Sequence, residues 1–186
     1  FAELDSLCEY NGQRVLKAFI DNRVSEIHLK GTTGYGYDDE GRDKLDKVFA
    51  QVLGAEDALV RHNFVNGTHA LTTALFGVLR PKDVLLSVTG MPYDTMQEVI
   101  LGENCGSLRD FGVNFAMIPL LDDGMPNYAE IARRAPEAKL AYIQRSRGYE
   151  LREAFSCVQI GEVCQYLRDS GYNGIIFVDN CYGEFV

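Results

Sequence analysis

Three short runs bring together residue types that could share one piece of chemistry. In "NGTHA", Asn66 to Ala70, a glycine stands just ahead of a segment with helical apolar spacing. If that segment is a helix, Gly67 lets the chain turn into it and the amides of Thr68 and His69 point outward with the helix dipole behind them. That is an anion site suited to a phosphate. Plain helix capping by Asn66 or Thr68 is the competing reading. In "TGMPYDT", Tyr93 follows Pro92, so its ring can be held as a platform for a flat heterocycle, or can simply pack. In "IIFVDN", an apolar run ends at Asp179. A buried carboxylate is costly unless it is paired or well hydrogen-bonded. Facing a heteroaromatic nitrogen, it would keep that nitrogen protonated and make the ring an electron sink. The alternative is a turn-forming Asp–Asn pair.

The elements that must position these residues alternate in period. Leu45, Val48, Phe49, Val52 and Leu53 recur at helical spacing and Gly54 follows as a stop. "ALV", residues 58–60, reads as a short strand, and Ala70, Leu71, Ala74, Leu75, Val78 and Leu79 mark the next helix. "DVLLSV", "VNFAMIPL", "KLAYIQ" and "GIIFVD" read as strands, with helical segments "YDTMQEVIL", "NYAEIARRA" and "SCVQIGEVCQYLRDSG" between them. The last of these opens with Ser156 and Gln159 at capping-box spacing. Apolar runs without alternation are strands buried on both faces. The expected fold is therefore α/β, a three-layer arrangement with a mostly parallel sheet and helices on both faces. Residues 1–42 read differently, as an amphipathic helical arm followed by the glycine- and tyrosine-rich loop "HLKGTTGYGYDDEGR".

Composition narrows the functional classes. Hydrophobic residues make up 46% and charged residues 24%, enough to bury a core. The net charge of −9 argues against nucleic acid as a general partner, because phosphate backbones need a basic surface. No run approaches the roughly 20 apolar residues that cross a bilayer, so no membrane partner is expected. The five cysteines are odd in number and form no CxxC, which argues against a disulfide framework or a zinc site. No metal is expected, and a reducing cytoplasm is the expected setting. Cys157 and Cys164, seven apart, are expected on one buried helix face.

A phosphate cradle, a stacking aromatic and a carboxylate at a later strand end are together what pyridoxal 5′-phosphate requires. The runs "GTTGYGYDDEGRDKLDKVFAQVLGAEDALVRHNFVNGTHAL", "GMPYDTMQEVI", "IQRSRGY" and "VDNCYGEFV" resemble the fold-type-I pyridoxal-phosphate proteins. They are most similar to the methionine γ-lyase-like or cystathionine β-lyase-like group associated with aluminium resistance. The resemblance implies that Gly67, Thr68 and His69 bind phosphate, that Tyr93 stacks on the cofactor and can take part in proton transfer, and that Asp179 partners the pyridinium nitrogen. It implies a homodimer or homotetramer in which Tyr35, Tyr37 and Arg42 reach the phosphate of a neighbouring subunit. Ser146 and Arg147, at another strand end, are candidates for the cofactor or a substrate carboxylate. A small amino acid such as cystathionine, cysteine or methionine is the implied substrate, cleaved by β- or γ-elimination.

The pattern also departs from the family. Asn66 stands where Ser is expected, which keeps the amides but loses a hydroxyl. The Schiff-base lysine is expected beyond the aspartate strand, and all six lysines (Lys17, Lys30, Lys44, Lys47, Lys82 and Lys139) precede it. Residues 43–186 are thus expected to form the first part of a cofactor-binding large domain in a longer protein. The rivals are an aminotransferase or another amino-acid lyase, and a non-catalytic homologue or interaction module. A nucleotide-binding domain built on "GTTGYG" is weaker, because those glycines match no GxGxxG or P-loop spacing.

Overall fold

Helical periodicity governs residues 1–64, the first of two compact units. The computed structural model describes residues 1–32, 35, 37 and 39–185. Helix α1 spans Ala2–Asp21 and α2 spans Glu40–Leu53, with a 3₁₀ turn at Glu26–Leu29 between them. Asp39 caps α2 by accepting the Arg42 amide, and Gly54 ends it in a left-handed conformation at φ 67°. Val48 and Val52 of α2 are buried with Ala18 of α1, and Val15 and Val24 pack alongside. Leu45, Phe49 and Leu53 remain exposed, so only part of the expected apolar face is covered within the unit.

The strand expected at 58–60 does not form. The Ala58 amide is taken by the Asp57 carboxylate, and the Val60 amide by Asp46 Oδ1 at 2.7 Å. Two of the donors a sheet ladder would need are spent on side chains.

The second unit, residues 65–184, carries the sheet. Its helices are α3 (Gly67–Val78), α4 (Asp94–Leu101), α5 (Tyr128–Arg134) and α6 (Cys157–Asp169). Its strands are β1 (Val84–Ser87), β2 (Asn114–Met117), β3 (Leu140–Gln144) and β4 (Ile175–Asp179). All pair in parallel, in the order β2-β1-β3-β4. Alternation divides the strand residues between two cores. Leu85, Leu140 and Tyr142, with Phe115, Ile175 and Phe177, face Leu75, Met96 and Ile100 of α3 and α4. Leu86, Ala141 and Ile143, with Ala116 and Ile176, face Ile131, Val163 and Leu167 of α5 and α6. Fully burying one such Leu or Ile stabilises by about 1.5–3 kcal/mol, so the two cores together hold the three layers.

The capping box at Ser156 and Gln159 is present and starts α6. Cys157, in the first turn of that helix, is nevertheless exposed and Cys164 is only half-buried. The expectation of a buried cysteine face holds only in part: Cys164 packs at the edge of the core beside Val163 and Leu167, whereas Cys157 at the helix start does not.

Candidate functional site

Strand order fixes where a ligand can sit. The chain leaves β1 for α4 on one face of the sheet and leaves β3 for α6 on the other. Adjacent parallel strands whose exits part in this way open a crevice at their carboxyl ends. The loop after β1 carries Tyr93, and the loop after β3 carries Arg145 to Tyr149.

Asp179 is the last residue of β4 and is 5% exposed. Its Oδ2 accepts the Tyr142 hydroxyl at 2.9 Å and its Oδ1 accepts the Cys181 amide at 3.1 Å. A carboxylate has about four acceptor positions, so half its capacity remains. Burial, together with the Asp179 charge and hydrogen bond, pushes the Tyr142 phenol well above its usual range, so Tyr142 is a fixed donor.

Gln144 pairs in register with Asp179 across β3 and β4. Its Oε1 accepts the Tyr93 amide at 2.6 Å, its Nε2 donates to the Ser146 carbonyl, and its own amide donates to Thr89 Oγ1. Tyr93 in turn is the N-cap of α4. In the first turn of that helix, Thr95 Oγ1 lies 3.1 Å from Thr68 Oγ1 in the first turn of α3. A continuous path of contacts therefore joins Asp179, Gln144, Tyr93, Thr95 and Thr68.

The α3 N-terminus differs in detail from the sequence expectation. Asn66 is its N-cap, and Asn66 Oδ1 accepts the His69 amide at 2.8 Å, so that amide is already committed. The amides of Gly67 and Thr68 have no partner among the described residues. Gly67 is the first residue of the helix, preceded by a loop and not by a strand, and it does not adopt a positive φ. A Cβ there would meet nothing within 4 Å. The glycine is thus not demanded by the backbone or by the packing, and a side chain there would stand in open space at the helix start that carries the two amides.

Ser146 offers its carbonyl to both Gln144 and Arg152, and exposed Arg147 donates to the Arg152 carbonyl at 3.2 Å. Tyr35 and Tyr37, each 84% exposed, and Arg42 belong to the first unit. Arg42 is ion-paired with Asp39 of its own helix cap at 3.3 Å.

Several site residues escaped the sequence reading. Tyr142 and Gln144 stand at alternate positions of "LAYIQ", a polar-tipped pair on one face of an otherwise apolar strand, and that alternation was a usable signal. Arg145 is 8% exposed, donates from Nε to the Phe155 carbonyl, and holds Asn180 and the Gly183 carbonyl with Nη1. It ties the segment just after Asp179 to the end of β3.

Known proteins share the chain end to end. Residues 1–186 match the family model described as methionine gamma-lyase. The chain belongs to the methionine gamma-lyase family. Within it, the Bacillus subtilis (strain 168) uncharacterized protein YnbB is 45% identical over 188 residues, 99% of this chain and 45% of YnbB. A Listeria monocytogenes structure, described as a candidate cystathionine beta-lyase involved in aluminium resistance, superimposes with a TM-score of 0.94 at 46% identity. That match covers 99% of this chain and 48% of the Listeria chain. A carbon-sulfur lyase involved in aluminium resistance from Clostridium novyi NT gives 0.91 at 46% identity, over 100% of this chain and 45% of its own. The chain spans about half the length of these relatives. The pyridoxal-5′-phosphate-dependent protein YhfS of Escherichia coli shares the fold, with a TM-score of 0.66 at 17% identity over 92% of this chain and 43% of that one.

Proposed function

We propose that this methionine gamma-lyase family protein is a pyridoxal-phosphate-dependent carbon–sulfur lyase acting on a sulfur amino acid. The observation that carries this reading is the chain of neighbours in which Asp179 pairs in register with Gln144, Gln144 holds the Tyr93 amide, and Thr95 of the helix that Tyr93 caps meets Thr68 in the first turn of α3. The names of the related lyases support it.

The residues present fit the cofactor. Asp179, with acceptor capacity to spare, would hold a ring nitrogen in its charged form. Tyr93 would lie against the ring. The Gly67 and Thr68 amides, with the α3 dipole, would hold the phosphate, and the space left by the missing Cβ admits it closely. When bound, the cofactor supplies an electron sink for the charge left at the substrate α-carbon.

The chain's own residues do the rest by holding. Tyr142 and the Cys181 amide fix the carboxylate, Gln144 fixes the Tyr93 backbone, and Arg145 fixes the turn after Asp179. Ser146 and Arg147 are assigned to the substrate carboxylate or cofactor edge. Tyr35, Tyr37 and Arg42 are assigned to phosphate contacts with a neighbouring subunit of a homodimer or homotetramer. Lys82 and Lys139, the lysines of the sheet unit, precede β1 and β3, at the opposite end of the sheet from Asp179. β3 has five residues, about 16 Å at roughly 3.3 Å each, so neither is assigned the covalent link.

The test uses full-length protein supplied with pyridoxal phosphate. Cystathionine, cysteine and methionine are each offered, and ammonia, 2-oxo acid and the sulfur product (a thiol, or sulfide from cysteine) are measured. Release of all three from one of them is expected. Transfer of the amino group to a 2-oxo acid without ammonia release would make the protein an aminotransferase. Absence of cofactor absorbance would make it a non-catalytic relative.

A further inference from the structure

Tyr93 is gripped from three sides by one short segment, Gln144 to Tyr149. Gln144 Oε1 takes its amide at 2.6 Å. Gly148 lies against its ring, so close that a Cβ there would stand 3.3 Å from Tyr93 Cδ2. Gly148 also sits at φ +57°, a conformation that side chains resist. Tyr149 completes the grip, with ring centroids 5.7 Å apart at 36° and the Tyr93 hydroxyl donating to Tyr149 Oη at 3.1 Å. Tyr149 itself is largely exposed. An exposed tyrosine tied by its hydroxyl to one ring is poorly explained as core packing.

We propose that Tyr149 is a positioning residue for Tyr93, fixing the plane of the ring that faces the cofactor. This rests on the assignment of Tyr93 to the cofactor site. The grip comes from the β3 exit and Tyr93 from the β1 exit, so it spans the two sides of the crevice. An aromatic platform is useful only if its plane is set before the ligand arrives, because ordering it afterwards would cost affinity. The electrostatics agree. The Tyr149 hydrogen bond first, then burial and the charges of Asp94, Tyr149 and Tyr182, push the Tyr93 phenol up to about 12.

The experiment is a double-mutant cycle on the full-length protein with Tyr149→Phe and Tyr93→Phe. In cofactor-free protein, ultraviolet titration of tyrosinate, with Tyr93 identified by difference from Tyr93→Phe, reads the pairing directly. Tyr149→Phe should move the Tyr93 midpoint from about 12 toward the ordinary value near 10. Asp94, Tyr182 and burial remain, so it should stop short of that value. Pyridoxal phosphate affinity should fall about fivefold in Tyr149→Phe and change no further when Tyr149→Phe is added to Tyr93→Phe. An unmoved Tyr93 midpoint, or an equal loss of affinity in both backgrounds, would overturn the proposal. The titration needs no cofactor. A shifted midpoint in a protein whose wild type binds no pyridoxal phosphate would instead overturn the functional reading and leave the Tyr93–Tyr149 pairing standing.

Discussion

The Tyr142 hydroxyl meets the Asp179 carboxylate at 2.9 Å on the sheet face covered by α3 and α4. The Tyr142 ring stacks on Phe177, two residues before the aspartate, with centroids 5.7 Å apart at 15°. The phenol is therefore aimed by packing within the sheet.

Asp179→Asn keeps the shape but replaces one acceptor oxygen with a donor group, so the buried Tyr142 hydroxyl loses the acceptor of its proton while Oδ1 can still accept the Cys181 amide. We expect a loss of about 1–3 kcal/mol in stability. Turnover should drop by about a hundredfold or more, because an amide cannot sustain a ring cation. Thermal melting and product release measure the two effects. Near-normal turnover would remove Asp179 from the cofactor site.

The two neighbours Asn66 and Gly67 should separate folding from binding. Asn66→Ala deletes the α3 cap and should cost about 1 kcal/mol in stability. Gly67→Val puts a side chain into open space at the start of α3, so stability should change by less than about 1 kcal/mol while cofactor affinity falls about tenfold or more. Paired melting curves and equilibrium titration with pyridoxal phosphate decide between them. Unchanged affinity in Gly67→Val would move the phosphate site elsewhere.

Arg145→Gln removes the donors that hold the Phe155 and Gly183 carbonyls and Asn180. Buried acceptors left without partners cost roughly 1–3 kcal/mol. Denaturant unfolding should show that loss, and hydrogen exchange should quicken at residues 180–183. Unchanged exchange there would mean the guanidinium does not hold the turn.

In the first unit, Asp46 is pushed up by burial, but hydrogen bonds from the Val60 amide and Arg61, and the Arg61 charge, outweigh this and hold it below the usual carboxylate range. A folded-state value lower than the unfolded one stabilises above the unfolded value and is lost as acid protonates the folded carboxylate. Wild type should exceed Asp46→Asn by on the order of 1 kcal/mol at neutral pH, and the gap should close below about pH 4. A gap that persists in acid would show that the Arg61 pairing is not its source.

The parallel sheet was legible because its strands are apolar on both faces, and α6 because Ser156 and Gln159 form a box that spacing alone can specify. Ala58–Val60 misled because its apolar residues have a strand's composition, while the partner that decides its fate, Asp46, lies in the preceding helix. Residue types pointed to Tyr93 after one apolar strand, to Asp179 at the end of another and to the Asn66–His69 turn at a helix start. Which amides stay open depended on the rotamer of Asn66, and the grip of Gln144 on Tyr93 on a contact 51 residues apart. Periodicity carries neither.

Because Gln144 lies opposite Asp179 and also hooks Tyr93, the gap between Tyr93 and Asp179 is ruled by strand register and is insulated from loop length. A residue added before Ile175 would be absorbed as slack as long as Ile175 still pairs with Leu140. A residue added within Ile175–Asp179 would move Asp179 one place past Gln144 and turn the acid toward the face of α5 and α6. The turn between α6 and β4 is thus free to drift in length, whereas the five residues of β4 behave as a ruler with no tolerance for an extra mark.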